Sequence, residues 1–270
     1  MKDYLDFSDG DDKFQTRFKV SKTSKVNQLI DESKFSEALT LIDDILKNDH
    51  SQDNLVLKGE ILDKLSRYSE AVECFDKALN FSQSGEIKIL KAGTLYHWAK
   101  VTYFPDGDYE KALNLIDEAL KTLPDLEDLS EYYFLKAEIL ESSASIVEAK
   151  KYYLKAHGEF EKADELEKQV DYLNDNKDFL INITGGHFYN FTPKSGLIVD
   201  LVRELDNEHD SDAVAVYFDN EKIGYVANSS YTLIDNVKSA SDIKDNVSKD
   251  SKAEILFIFL DDYVIAKCLF

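Results

Sequence analysis

The sequence predicts a multidomain α + β protein: an N-terminal α-helical solenoid of about four helix pairs, followed by a small β-barrel-like domain with one or two helices. Three observations carry that expectation. A short residue phrase with helical spacing recurs four times before residue 160. Beyond Leu173 the apolar residues switch to alternation and short blocks, the period of strands. Glycine and proline number only 10 and 3 in 270 residues, which excludes collagen-like and low-complexity chains and favours uninterrupted helices.

Length and composition agree with two soluble domains. Apolar residues make up 43% and charged residues 31% of the chain. Acids outnumber bases 53 to 32, a formal net charge of −21 that repels phosphate backbones at long range and rules out a broad basic face. Cys74 and Cys268 are too few for a disulfide framework or a cysteine zinc site, which points to a reducing compartment. Met1-Lys2-Asp3-Tyr4-Leu5-Asp6 has neither the basic nor the apolar part of a leader. The longest apolar run, Ile255 to Leu260, is far short of a membrane span and suits a buried strand. A cytoplasmic protein without a cofactor is expected.

The recurring phrase is an aromatic or bulky residue, then Ala three positions on, a bulky residue at seven and a small or bulky one at ten. It reads Tyr68, Ala71, Phe75, Ala78, Leu79, and again Tyr109, Ala112, Ile116, Ala119, Leu120, followed by Pro124. Weaker copies are Phe35, Ala38, Ile42, Ile45, Leu46 and Ile146, Ala149, Tyr153, Ala156. A second amphipathic stretch precedes each anchor, such as Leu55, Gly59, Leu62 or Tyr133, Ala137, Leu140. Such spacings place one stripe on a helix face, and small residues let two antiparallel helices approach. No single pair buries its stripe alone, so neighbours must stack.

These residues resemble the tetratricopeptide (TPR) repeat family over about 20–160. The third copy has a lengthened first helix, from about Glu86 through Trp98 to Tyr103, before the turn Pro105-Asp106-Gly107-Asp108. Trp98 fits packing of that insertion or a place on the solenoid's groove. Phe160 to Leu173 reads as a capping helix, so the solenoid domain is set at 20–173, with 1–19 as a tail. The resemblance implies a groove for a protein partner, and 37 acids against 23 bases over residues 1–175 suit a basic segment.

The second domain, 178–270, shows strand patterns at Phe179–Thr184, Leu197–Arg203, Ala213–Phe218, Lys222–Val226, Ile255–Leu260 and Tyr263–Leu269. Asn220-Glu221 and Asp261-Asp262 read as two-residue turns. Ser229 to about Val237 reads as a helix capped by Ser229 or Ser230, and 239–252 as a polar loop.

The densest segment is Gly185-Gly186-His187-Phe188-Tyr189, then Arg203-Glu204 through Asp206, Asn207 and Asp210 to Ala213, Val214 and Val216, then Gly224-Tyr225. That pattern resembles the HIRAN domain, found at the N-terminus of some DNA-repair translocases and as a stand-alone prokaryotic module. The resemblance implies a fold related to oligonucleotide-binding barrels and capture of a single-stranded DNA 3′ end. It implies Phe188 and Tyr189 as stackers, Asn207 and Asp210 in the terminus pocket, and His209 and Tyr225 beside the same groove. His187 stands where the translocase domains have arginine, and His209 where they have tyrosine; with Arg203 these complete the candidate set. Stacking on aromatic rings stabilises an unpaired base by about 1–3 kcal/mol. A carboxylate can accept a terminal hydroxyl's hydrogen bond while repelling an internal phosphate there.

Plainer readings stand beside these. Arg203 and Glu204 fit a strand-end ion pair, and Asp206, Asn207 and Asp210 fit turn chemistry. Phe188 and Tyr189 have opposite strand facings, so one faces the core and one solvent. From residue 176 to 270 there are 9 basic and 16 acidic residues, so phosphate contacts are scarce. The expected function is a non-enzymatic adaptor joining a protein partner to a nucleic-acid end. A protein-only scaffold is the alternative. A metal-dependent hydrolase using His187, His209 and nearby acids is third, without an HExxH, CxxC or Gly-x-Ser-x-Gly motif to support it.

Overall fold

Each of the four anchors is the first residue of a helix in the computed structural model, which describes residues 22–105, 107–123, 128–175, 179–189 and 191–270. The tail at 1–19 and Pro124 lie outside the described residues. The chain divides into two compact units, 1–158 and 159–270.

The first unit is helical. Helix α1 covers 22–31, and α2 (Phe35–Leu46), α3 (Gln52–Lys64), α4 (Tyr68–Leu79), α5 (Gly85–Tyr103), α6 (Tyr109–Thr122), α7 (Ser130–Ser142) and α8 (Ile146–Ala156) follow. The alanines three residues after the anchors, Ala38, Ala71, Ala112 and Ala149, are all buried. At the next stripe position Ile42, Phe75 and Ile116 are buried, whereas Tyr153 is half-exposed and donates its hydroxyl to Glu141 Oε2 at 2.7 Å. Gly59 of α3 faces Phe75 so closely that a Cβ there would lie 2.7 Å from the ring. Trp98 packs against the second core cluster of this unit, with Lys111 Nζ 5.1 Å from its ring centre.

The turn inside each pair follows one rule. The residue two before the anchor (Ser33, Ser66, Gly107 or Ala144) has a left-handed φ of 58°, 59°, 71° or 61°. In three copies the flanking N–H groups close a double cap: Ser66 N–H donates to Asp63 O at 2.9 Å and Arg67 N–H to Leu62 O at 2.9 Å, repeated at 33/34 and 144/145. This satisfies carbonyls that the ending helix leaves open. The third turn is wider, with Asp108 N–H on Thr102 O at 3.2 Å, as the inserted residues require.

Charge ties successive pairs together. Eight residues after the first three anchors stand Asp43, Asp76 and Asp117, and each meets a lysine of the next first helix: Lys58 at 2.7 Å, Lys91 at 2.8 Å and Lys136 at 2.6 Å. Lys91 also reaches Glu118 at 2.9 Å and is only 12% exposed. In the fourth copy the corresponding residue is Leu154.

The second unit opens with α9 (Phe160–Asp175), expected above as the solenoid's cap. The structure groups it with the β unit instead. Tyr172 packs edge-on to Phe257 at 6.0 Å, and Asn174 accepts a hydrogen bond from Asn236 at 2.9 Å. The strands are β1 (Leu180–Thr184), β2 (Ile198–Arg203), β3 (Val214–Phe218), β4 (Glu221–Val226), β5 (Lys252–Phe259) and β6 (Tyr263–Cys268). They form a closed antiparallel barrel in the order β1-β4-β3-β2-β5-β6, which leaves no free edge. Val199 and Leu201 point inward between more exposed neighbours on β2, while Ala240 and Ile243 of the short helix α10 (Ala240–Ile243) join the same core.

Four local expectations are corrected. No helix spans Ser229–Val237: Thr232 and Leu233 N–H bond Ser229 O in one turn, and the chain is then drawn along β1. Lys238 N–H donates to Leu180 O at 2.7 Å, and Asn182 Nδ2 donates to Thr232 O at 2.8 Å, so β1 takes groups a helix would have paired internally. The region expected as a loop, 239–252, holds α10, capped reciprocally by Ser239 and Asp242, and the start of β5. The β3–β4 turn is Asp219–Asn220, with φ of 50° and 65° as a primed hairpin turn needs. The β5–β6 turn has three residues, Leu260 to Asp262, between the paired Phe259 and Tyr263.

Candidate nucleic-acid interface

The loop from β2 to β3 is built by its own polar side chains. Glu204 N–H donates to Ala213 O at 3.0 Å and closes its neck. Asn207 Oδ1 accepts from the N–H groups of His209 and Asp210, both at 3.0 Å, while its Nδ2 donates to Glu204 Oε2 at 3.0 Å. Asp210 accepts from Asp212 N–H at 2.9 Å and from Asn228 Nδ2 at 2.8 Å. Asn228 in turn accepts from Ser241 N–H at 2.9 Å, and Asp212 binds Lys244 at 2.6 Å and Ser241 Oγ at 2.8 Å. Turn chemistry and a shaped site are therefore the same set of bonds here.

That framework opens a cleft of about 280 Å³ to solvent, with Asn207, His209, Asp210 and Tyr225 on its walls, joined by Thr184 and Asn228. Asp210 uses about two of a carboxylate's four lone-pair positions on its own domain and has acceptor capacity left for a ligand hydroxyl. Asp206 is exposed.

Glu204 and Arg203 do not pair with each other. Successive strand residues face opposite sides. Glu204 binds Lys222 at 2.5 Å and Tyr225 Oη at 3.0 Å, whereas Arg203 reaches Asp245 at 3.4 Å and keeps a buried Nε that has no partner among the described residues. Burial pushes the Glu204 carboxyl up, but hydrogen bonds from Lys222, Asn207 and Tyr225 outweigh it and hold it below its ordinary value. The same bonds to Glu204 and Tyr225 keep Lys222 charged well above the usual lysine range. Lys222 Nζ lies 4.8 Å from the Tyr225 ring centre.

Phe188 and Tyr189 lie on a 3-10 turn (Gly186–Phe188) and its cap rather than on a strand, so strand alternation does not apply and neither joins the core. Phe188 is 90% exposed; Tyr189 is half-buried, and burial followed by the neighbouring Tyr225 raises its phenol. The turn begins at Gly185, whose φ is 83°. Close packing beneath it needs Gly224: a Cβ there would overlap Thr184 O and lie 3.1 Å from Ile183 Cγ2. The His187 side chain lies outside what the structure describes.

Sequence reasoning missed Asn228, which anchors Asp210, and Tyr231, 94% exposed beside the cleft's Thr232. Neither stands in a pattern with periodicity. Among the described residues no lysine or arginine lines the cleft, and no three His, Cys, Asp or Glu side chains converge as a metal site.

A scan against protein-family models matches a HIRAN domain over residues 177–243, β1 through α10, and a tetratricopeptide repeat over residues 53–84, the α3–α4 pair with Gly59 and Phe75. A search of curated proteins finds no match. Among solved structures, the MamA RS-1 ArsTM double mutant is 17% identical, covering 57% of this chain and 77% of its own, at a TM-score of 0.37. A MamA protein is 16% identical, covering 54% and 94%, at 0.32. The repeats point to protein–protein interaction and the HIRAN domain to nucleic-acid binding; both families are typically binding modules.

Proposed function

We propose that this chain, with its tetratricopeptide repeat and its HIRAN domain, is a non-enzymatic cytoplasmic adaptor that holds a single-stranded DNA 3′ end in the barrel and a basic protein segment on the helices. The observation that carries the DNA half is the open cleft joining Asn207, His209, Asp210 and Tyr225. There Asp210 accepts the terminal 3′ hydroxyl and Tyr225 offers a ring face to the last base; the exposed Phe188, outside the cleft's lining, offers a face to a preceding base, and Lys222 is the nearby cation. A 3′ phosphate in the same place meets a fixed carboxylate. For the helical half, the tetratricopeptide repeat and the excess of 37 acids over 23 bases in residues 1–175 support a basic partner segment.

Fluorescence anisotropy in low salt, with short strands ending in a 3′ hydroxyl or a 3′ phosphate, tests the DNA half. The hydroxyl strand binds, and both the phosphate and Asp210→Asn weaken binding by roughly tenfold or more. No binding of either strand at micromolar protein removes the proposal. One observation favours a second reading, a module that contacts only protein: the cations near the loop are already matched, Lys222 to Glu204, Lys244 to Asp212 and Arg203 to Asp245. That reading gives no binding to either strand.

A further inference from the structure

A larger cleft, of about 510 Å³, lies beside the first and shares Thr184 and Thr232 with it. Phe191, Tyr231, Ile258 and Tyr263 supply aromatic and apolar walls, and Asp261 and Asp262 of the β5–β6 turn stand among them. Among the described residues no lysine or arginine lines it. In the turn, Leu260 and Asp261 hold left-handed φ values of 52° and 66°, and Asp262 N–H donates to Phe259 O at 3.2 Å. Asp261 also acts on Lys162 of α9, which is bound to Glu159 at 2.9 Å.

Ring faces beside fixed carboxylates attract a cation on an aliphatic stem and repel a phosphate. We propose that this second cleft binds an arginine- or lysine-bearing segment of a partner protein, with the cationic head between Tyr231 and the turn carboxylates. Three features argue for that occupant. The cleft has room for several residues, the formal charges among its described lining residues are negative, and Tyr231 is almost wholly exposed. A nucleic-acid strand, the other candidate, would bring its phosphates against two acids. The acids and rings of this cleft are not those of the Asp210 cleft, so either assignment can fail without the other.

The test titrates the full chain with a short fluorescein-labelled Gly/Arg peptide. Asparagine tolerates left-handed backbone, so Asp261→Asn/Asp262→Asn keeps the turn and is expected to weaken the peptide by roughly tenfold. Tyr231→Ala, at an exposed position, is expected to weaken it by about threefold. Asp219→Asn/Asp250→Asn removes the same charge from exposed positions elsewhere and is expected to stay within about twofold. Equal loss in both double variants would show a general acidic field rather than a site and overturn the proposal. So would unchanged peptide binding alongside tighter binding of a single strand to the Asp261→Asn/Asp262→Asn protein.

Discussion

The helical unit and the β unit are both acidic, yet their carboxylates do different work. In the helices the acids recur at one repeat position, Asp43, Asp76 and Asp117, and each holds a lysine of the following pair. In the β unit Glu204, Asp210 and Asp212 follow no period and instead fasten one loop to β4, Asn228 and α10. Periodic charge makes a scaffold; aperiodic charge, bonded to backbone and side chains, makes a shaped cleft.

The largest effect expected from this contrast is at Gly224. Gly224→Ala forces a methyl onto the β1 backbone, at a cost of roughly 3–5 kcal/mol. A denaturant melt should show the barrel unfolding early while helical circular dichroism persists. A barrel transition left in place would mean that the close approach of β1 and β4 is slack.

That glycine stood out in the sequence only as part of a motif, and the same division runs through the molecule. The anchors Phe35, Tyr68, Tyr109 and Ile146 were legible because helix period and repeat spacing reinforce each other. The six strands were legible from alternation, although β5 starts three residues before the expected Ile255. Ser229–Val237 was not, because its apolar spacing suits a helix while β1 takes its backbone groups. The stripe of α9 fits any apolar surface, so its association with Phe257 was invisible in sequence. In the candidate site, Asn207, His209, Asp210 and Tyr225 were legible and are brought to one cleft. Asn228 and the true partners of Arg203 and Glu204 depend on contacts distant in sequence.

In the helices, Lys91→Ala removes two charged hydrogen bonds from a nearly buried nitrogen and leaves Asp76 and Glu118 facing each other. A loss of about 1–2 kcal/mol in a urea melt is expected, against about 0.5 for the more exposed Lys58→Ala. Equal small losses would deny the ladder a structural role. In the β unit, Glu204 has a folded pKa below its ordinary 4.5. Its stabilisation is complete above that value and is lost as pH falls through the lowered one. Acid titration of barrel stability should therefore flatten in Glu204→Gln, and an unchanged acid limb would assign the dependence elsewhere. The smallest effect is a gain: Ser66→Gly relieves a left-handed serine and should raise stability by about 0.5–1 kcal/mol. A loss would show that the Ser66–Tyr68 hydroxyl contact at 3.3 Å outweighs the backbone strain.

The most direct measurement is the ratio of affinities for two otherwise identical single strands, one ending in a 3′ hydroxyl and the other in a 3′ phosphate, in wild type and in Asp210→Asn. A carboxylate poised for a terminal hydroxyl predicts a strong wild-type preference for the free end that collapses in the variant. Equal affinities in the wild type, or a preference that survives loss of the Asp210 charge, would contradict it.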